Sequence, residues 1–221
     1  MAANYSPKIV SGNMIVYYDA GNLKSYRTGT SCFDLSVSGN SGAFGAGVSF
    51  SQANGGSFAF NGTNNTAYID VNSSANVLST TTYTKMAFIY PTSLLTSNNI
   101  ISGGGLGQHA FWLAGGNTFQ AGHNGFWSTV ASTSTVSVNN WFFGAVSFSS
   151  TTGWRMYFNG VQQATSVSTT TFSGTGFVRL GAYDTGNNFT GNIACPLVYN
   201  RVLTADEILQ NFNALRGRFG I

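Results

Sequence analysis

Apolar and β-branched residues recur along the chain in short bursts, each closed by glycine, asparagine or serine, and this rhythm predicts strands rather than helices. The bursts fall at residues 14–18, 57–60, 67–71, 83–90, 99–102, 110–114, 118–121, 127–130, 141–149, 154–158, 161–166, 177–180 and 191–199. So many short strands at such spacing predict an all-β, two-sheet antiparallel sandwich. Between residues 154 and 161 the dipeptide Asn159-Gly160 marks a tight hairpin, because both residues take the positive φ angles of a type I′ turn. Alternation then places Trp154, Met156 and Phe158 on one face and Arg155 and Tyr157 on the other, with the first face predicted to be core.

One segment carries a helical period instead. Thr204 and Glu207 have the spacing of a capping box, Ile208, Leu209, Phe212 and Leu215 share one stripe, and Gly217 stands where a helix would stop. A short C-terminal helix laid against the sandwich is expected. Residues 23–51 are dense in Gly and Ser without periodicity and read as a long irregular loop, and residues 128–138 form a low-complexity Ser/Thr/Val tract.

Composition narrows the picture. The 221 residues are 43% hydrophobic, with 18 Phe and 10 Tyr, enough for one sizeable core. Only 7% are charged, against about 25% in an ordinary domain, so the surface must be built from Ser, Thr, Asn, Gln and Gly. A net charge of +3 with scattered basic residues argues against nucleic acid, and an exposed tail accounts for Arg216 and Arg218. No signal peptide is legible at the N-terminus, and no apolar run approaches the length of a membrane helix. Cys32 and Cys195 permit a disulfide, the alternative being two buried free thiols; with His109 and His123 they show no zinc-ligand spacing.

Several pieces in order then give a resemblance. Gly55-Gly-Ser-Phe-Ala-Phe-Asn-Gly-Thr63, Ala67-Tyr-Ile69, Trp141, Met156-Tyr-Phe-Asn-Gly160, Phe189-Thr-Gly-Asn-Ile193 and Val198-Tyr-Asn-Arg-Val-Leu-Thr-Ala-Asp-Glu-Ile208 resemble the laminin-G-like, concanavalin A-like superfamily over residues 14–212. The resemblance implies a jelly roll of two antiparallel sheets, spanning residues 13–216, with residues 1–12 as an N-terminal arm and 217–221 as a C-terminal tail. The opening Ile15-Val-Tyr-Tyr-Asp-Ala-Gly-Asn22 is similar to the start of such domains in bacteriophage structural proteins and large bacterial surface proteins. With the sparse charge and the absence of targeting, this suggests a virion protein, a capsid decoration or a tail or fibre component, assembled in the host cytoplasm. Its partners would be other virion proteins, in a homo-oligomer or multi-copy assembly. The alternative is a carbohydrate-binding adhesion module outside any particle.

Chemistry tests these readings. Many relatives are glycoside hydrolases, which need two facing carboxylates. The single glutamate, Glu207, is accounted for by the capping box, and Asp19, Asp34, Asp70, Asp184 and Asp206 form no spaced pair, so no enzymatic activity is expected. The Ser102–Gly107 stretch lacks the lysine and the following helix of a phosphate loop and reads as a loop. Calcium is the cofactor the resemblance suggests, but Asn61, Asn64, Asn65 and the Ala194-Cys-Pro196 stretch stand where relatives often carry acids. No cofactor is expected beyond a weak calcium site on Asp184 or Asp70 with backbone carbonyls. Sugars are bound by aromatic faces and by amide or imidazole groups that fix hydroxyls. Gln108, His109 and Trp112, with His123, Asn124 and Trp127, supply both ingredients and are the candidate glycan site; the competing reading is ordinary packing.

Overall fold

Two antiparallel β layers face each other across an apolar core in the computed structural model, which describes residues 7–72, 76–94 and 97–221. In chain order the strands are β1 (Met14–Tyr17), β2 (Ser31–Cys32), β3 (Gly42–Phe44), β4 (Val48–Ser51), β5 (Ser57–Asn61), β6 (Ile69–Val71), β7 (Thr82–Pro91), β8 (Ser97–Asn99), β9 (Ile101–Ser102), β10 (His109–Ala114), β11 (Thr118–His123), β12 (Phe126–Thr135), β13 (Phe142–Ser149), β14 (Gly153–Phe158), β15 (Val161–Ser166), β16 (Val178–Leu180) and β17 (Thr190–Tyr199). There are also one helical turn, α1 (Gly104–Gly107), one helix, α2 (Ala205–Leu215), and 3-10 turns at Ala53–Gly55 and Arg216–Arg218.

The first layer is an eight-stranded sheet ordered β15-β14-β13-β7-β17-β5-β4, with β1 also paired to β17. The second layer has a four-stranded part, β12-β11-β10-β8, and a five-stranded part, β2-β3-β6-β16-β9. The two parts meet at Ile100, whose N–H donates to Phe111 O at 2.9 Å and whose carbonyl accepts from Gly181 N at 3.0 Å. One stretch of chain, residues 97–102, therefore serves β10 with its first half and β16 with its second.

The main core lies between the layers. Tyr83, Ala87 and Ile89 of β7 and Val146 and Phe148 of β13 meet Phe111 and Leu113 of β10, Phe119 of β11, and Ile69, Val71 and Leu180 of the five-stranded part. A second apolar cluster covers the other side of the large sheet. There Met86 and Phe88 of β7, Phe143 of β13, Tyr157 of β14 and Leu197 and Tyr199 of β17 lie beneath Ile208, Phe212 and Leu215 of α2 and beneath Phe219. Central strands buried on both faces read as near-continuous apolar runs, and the Met86–Ile89 stretch is such a run.

The all-β jelly-roll sandwich with one short C-terminal helix is the observed fold, and each predicted strand coincides with an observed one. The capping box is present, Glu207 N donating to Thr204 Oγ1 at 3.2 Å and Thr204 N to Glu207 Oε2 at 2.9 Å. Trp154 and Met156 are in the core as expected, whereas Phe158 is only partly buried. Tyr157, on the face opposite the core, is fully buried too, because α2 covers that face.

Other expectations are corrected. Residues 23–51 hold three strands, β2, β3 and β4, each of two to four residues, too short to show a period. The Ser/Thr tract continues β12 to Thr135, its hydroxyls facing water on one side. The Ser102–Gly107 loop contains the turn α1. Residues 216–221 are docked rather than a free tail: Arg216 is exposed as expected, but Phe219 is buried against Trp141 and Phe88, and Arg218 Nη1 reaches both oxygens of Asp19 at 2.9 Å. Of the N-terminal arm, residues 1–6 lie outside the described residues. Ile9 and Val10 pack on the second cluster, with Val10 N donating to Asn211 Oδ1 at 2.8 Å. Cys32 and Cys195 are free and buried, one in each cluster, so the large sheet separates them.

Candidate functional site

The outer face of the four-stranded part of the second layer is not covered by α2 or by the termini, which pack on the large sheet. Its register fixes which side chains that face presents. Phe111, Ala121 and Val130 oppose one another and point into the core, so Trp112 and its partner Gln120 point outward. The β11–β12 hairpin turns on Asn124 and Gly125, whose φ angles of 52° and 90° are those of a two-residue primed turn. Beyond the turn, β12 is bulged: His123 opposes Phe126 while Ala121 opposes Val130, leaving extra residues on β12. The bulge swings Trp127 toward Trp112, and Trp112 Nε1 donates to Trp127 O at 3.0 Å.

A groove of about 780 Å³ results, lined by Trp112, His123, Asn124, Gly125, Phe126, Trp127, Ser128, Thr129, Trp154, Ser168 and Thr170. Phe126 is 78% exposed and Trp127 partly so, whereas Trp154 is almost fully buried. The Trp154 indole N–H finds no acceptor among the described residues. On the far side of the Trp112–Trp127 pair lies a smaller hollow of about 100 Å³, lined by those two residues with Ser97, Asn99, Ala110, Tyr183 and Asn187. Tyr183 meets the Trp127 ring edge-on at 5.0 Å. Neither hollow is lined by Asp, Glu, Lys or Arg.

Beneath the groove runs a buried polar relay. His123 Nδ1 lies 2.8 Å from Thr170 O, and His123 Nε2 lies 2.8 Å from Tyr83 Oη. A carbonyl can only accept, so Nδ1 carries the proton and Nε2 accepts from the tyrosine. His109 repeats the arrangement, with Nε2 at 2.9 Å from Phe177 O and Nδ1 at 2.6 Å from Lys85 Nζ. Lys85 Nζ also donates to Ile101 O at 3.2 Å and stands 4.9 Å from the Tyr83 ring centroid. Burial disfavours every charged form here. It holds the His123 imidazolium down to about 4, holds His109 and Lys85 well below their ordinary values, and pushes the Tyr83 phenol up.

The six residues expected at a glycan site separate into three groups. Trp112, Trp127, His123 and Asn124 line the groove. Asn124 spends its side chain on the neighbouring segment: Nδ2 donates to Thr171 O at 2.9 Å, and Oδ1 accepts from Ser173 N at 2.8 Å and Ser173 Oγ at 2.9 Å. Asn124 thus positions the groove wall. His109 is fully buried in the core and reaches no surface, and Gln108 lies outside the groove, its carbonyl accepting from Asn124 N at 3.0 Å. Phe126, Tyr183 and Asn187 escaped the sequence reading. The signal for Phe126 was present in Asn124-Gly125, the same kind of turn dipeptide as Asn159-Gly160, which puts two aromatics directly after a hairpin tip.

The carboxylates of Asp19, Asp34, Asp70 and Glu207 are committed elsewhere. Glu207 is held by Arg201 through two contacts of 2.7 Å, and Asp19 by Arg218. Asp34 accepts from Tyr17 N, Ser36 N and Asn40 N. Asp70 receives Arg179 Nε at 2.5 Å and Nη2 at 3.0 Å, while Arg179 Nη1 donates to the backbone carbonyl of Asp184. Arg179 thus takes both the Asp70 carboxylate and the Asp184 carbonyl, and a calcium ion at either aspartate would have to compete with the guanidinium for these oxygens.

A profile of the concanavalin A-like lectin/glucanases superfamily matches residues 61–209, which include the whole groove. No curated protein matches the chain in sequence. Among solved structures, domain 4 of an extracellular arabinanase from Geobacillus stearothermophilus, in complex with arabinotriose, superposes with a TM-score of 0.71 at 16% identity over 90% of this chain and 98% of that one. The binding domain of a paraclostridial mosquitocidal protein gives 0.70 at 14% identity over 92% of this chain, and the receptor binding domain of botulinum neurotoxin type G gives 0.64 at 16% over 91%. This chain spans about half of each of those two, 52% and 51%. At such identities the likeness is one of fold.

Proposed function

The chain belongs to the concanavalin A-like lectin/glucanases superfamily, and from that premise we propose that it is a non-catalytic carbohydrate-binding module whose ligand lies in the groove on the outer side of β10, β11 and β12. The observation that carries this reading is the exposed Phe126 beside Trp127, at the mouth of an uncharged groove walled by Ser128, Thr129, Ser168 and Thr170. Sugar rings present C–H faces that aromatic rings cover and hydroxyls that short polar side chains fix, and 780 Å³ is in the range of small-ligand sites. Phe126 is not alone at the surface: with Trp127 and Trp112 it gives the groove a contiguous aromatic lining. The solved arabinanase domain, whose complex holds arabinotriose, supports the same reading.

A non-catalytic role is supported by the carboxylates. Hydrolysis of a glycosidic bond needs two of them facing the sugar, and those of Asp19, Asp70 and Glu207 are engaged by arginines away from the groove. A place in a bacteriophage particle rests on the sequence resemblance and the sparsely charged surface; nothing in the groove bears on it. Mass spectrometry of purified particles would decide that point separately.

The test is a glycan array probed with the wild-type protein and with Phe126→Ala. Because Phe126 touches little of the fold, its truncation should leave the thermal unfolding midpoint unchanged. It should weaken binding about tenfold, a loss of about 1.4 kcal/mol. If the array stays blank, or if Phe126→Ala binds as well as wild type, the groove is not a carbohydrate site.

A further inference from the structure

The groove and the small hollow beyond it share two residues, Trp112 and Trp127, which form a ridge between them. Resting on the carbohydrate reading above, we infer that the two are subsites of one binding track, and that the ligand is a linear neutral oligosaccharide whose chain crosses the ridge and places a further unit against Tyr183 and Asn187.

Four observations lead there. The ridge is rigid by construction: the Trp112 indole N–H is tied to Trp127 O at 3.0 Å, and the Trp127 ring is braced edge-on by Tyr183 at 5.0 Å. A ligand that covers Trp127 from the groove side is therefore already in contact with the wall of the hollow. The hollow also has the groove's chemistry in miniature, with an aromatic ring, Tyr183, beside the amide of Asn187, whose side chain is exposed. Its floor is fixed by Asn99, which donates to Asn187 O at 3.1 Å and accepts from Ser102 Oγ at 2.6 Å.

Size sets the division of labour. At about 100 Å³ the hollow has the room of a few waters, at roughly 30 Å³ each, enough for the edge of one terminal sugar unit. The groove, several times larger, takes the body of the chain. Short ligands can be satisfied by the groove alone, and only longer ones reach across.

Charge sets the class. A sialylated or uronic acid chain calls for a cation at the site, and neither hollow is lined by one. Arg179, Arg201 and Arg218 are already paired with Asp70, Glu207 and Asp19, and Lys85 is enclosed in the core. Desolvating an anionic sugar in these hollows would go uncompensated, so a neutral chain is the ligand that fits.

The experiment is calorimetric titration of the intact protein with arabino-, xylo-, cello- and malto-oligosaccharides from disaccharide to octasaccharide, with a sialylated lactose series alongside. Wild type is compared with Asn187→Gly; Asn187 has a φ of 51°, which glycine adopts freely, so that variant removes the amide without straining the turn and leaves the Tyr183–Trp127 contact in place. Thermal unfolding confirms that the variant is folded. The expected result is a rise in affinity of at least fivefold with chain length in one neutral series, lost in the variant while its affinity for short chains stays within twofold of wild type. Binding without length dependence overturns the second subsite but leaves the groove reading intact, as does a variant that weakens short and long chains equally. Tighter binding of the sialylated series overturns the neutral assignment. Absence of binding to every chain overturns this inference and the carbohydrate reading together.

Discussion

A lysine and two histidines in an apolar interior need a chemical reason: burial keeps each of them neutral, and fixed hydrogen bonds satisfy their polar atoms. His123 is 3% exposed and His109 fully enclosed, and burial makes protonation of either unfavourable inside the fold. In the unfolded chain His123 takes up its proton near pH 6.5, but in the folded chain only near 4. Between those values the unfolded chain holds more protons, so acid favours unfolding. The contribution is intact above about pH 6.5 and is lost progressively as the pH falls to about 4, by about 3 kcal/mol for His123. His109 shifts in the same direction. Urea unfolding should therefore show stability dropping steadily from about pH 7 to pH 4.5, and a flat profile over that window would contradict the neutral relay. The sequence placed both histidines beside aromatics and suggested sugar ligands. Strand alternation sets them with Phe111 and Phe119, facing in, and Lys85 inside the apolar run of β7 was the sign of a buried polar cluster that went unread.

At the level of elements, the signals that worked were stereochemical. Asn159-Gly160 sits at the β14–β15 turn with both φ angles positive, at 47° and 80°, and the Thr204/Glu207 pair starts α2. What pattern could not show was the second use of Glu207. Its carboxylate also grips Arg201 in a two-pronged contact, and both partners are more than two-thirds buried. Glu207→Gln keeps the capping geometry but gives up the charge, and should cost about 1 kcal/mol; Glu207→Ala loses the cap partner as well and should cost about 2 kcal/mol. Chemical denaturation of the two variants checks the order, and equal losses would mean that the ion pair alone stabilises this end of the helix. The strands β2, β3 and β4 were illegible for a different reason. Only tertiary neighbours define them, such as Tyr26 packed at 5.8 Å from Phe44 and 5.2 Å from Phe50, contacts that join distant positions.

For the molecule as a whole, the termini decide where a site can be. Ile9, Val10, α2 and Phe219 roof the outer face of the large sheet, and Arg218 clamps this roof to Asp19 and to the carbonyl of Gly55 at 2.9 Å. Among the described residues three ion pairs draw Arg179, Arg201 and Arg218 together with Asp70, Glu207 and Asp19, out of a chain that is only 7% charged. Phe219 is 4% exposed and packs on Phe88 at 4.4 Å and Trp141 at 4.5 Å, so Phe219→Ala should cost about 3 kcal/mol in urea unfolding. A loss under 1 kcal/mol would show the C-terminal segment to be an ornament rather than part of the fold. The sequence resolved the sandwich and four of the eleven groove residues, Trp112, His123, Asn124 and Trp127. It missed the roof, because the burial of Phe219 depends on Trp141, far away in the chain, and it missed the hollow, because Tyr183 and Asn187 reach Trp127 only through the folded chain.

The most direct test of the groove as a carbohydrate site follows from the protein's four tryptophans, which lie at known places. Trp112 and Trp127 form the ridge, Trp154 backs the groove, and Trp141 sits on the opposite face of the molecule, its indole N–H bonded to Asn54 Oδ1 at 3.1 Å. Each indole N–H gives its own proton–nitrogen resonance. On titration with the neutral oligosaccharide that binds best, the Trp127 and Trp112 signals should move together and saturate while that of Trp141 stays fixed. Saturable binding that moves Trp141 and leaves Trp127 and Trp112 in place would put the ligand elsewhere and contradict the account.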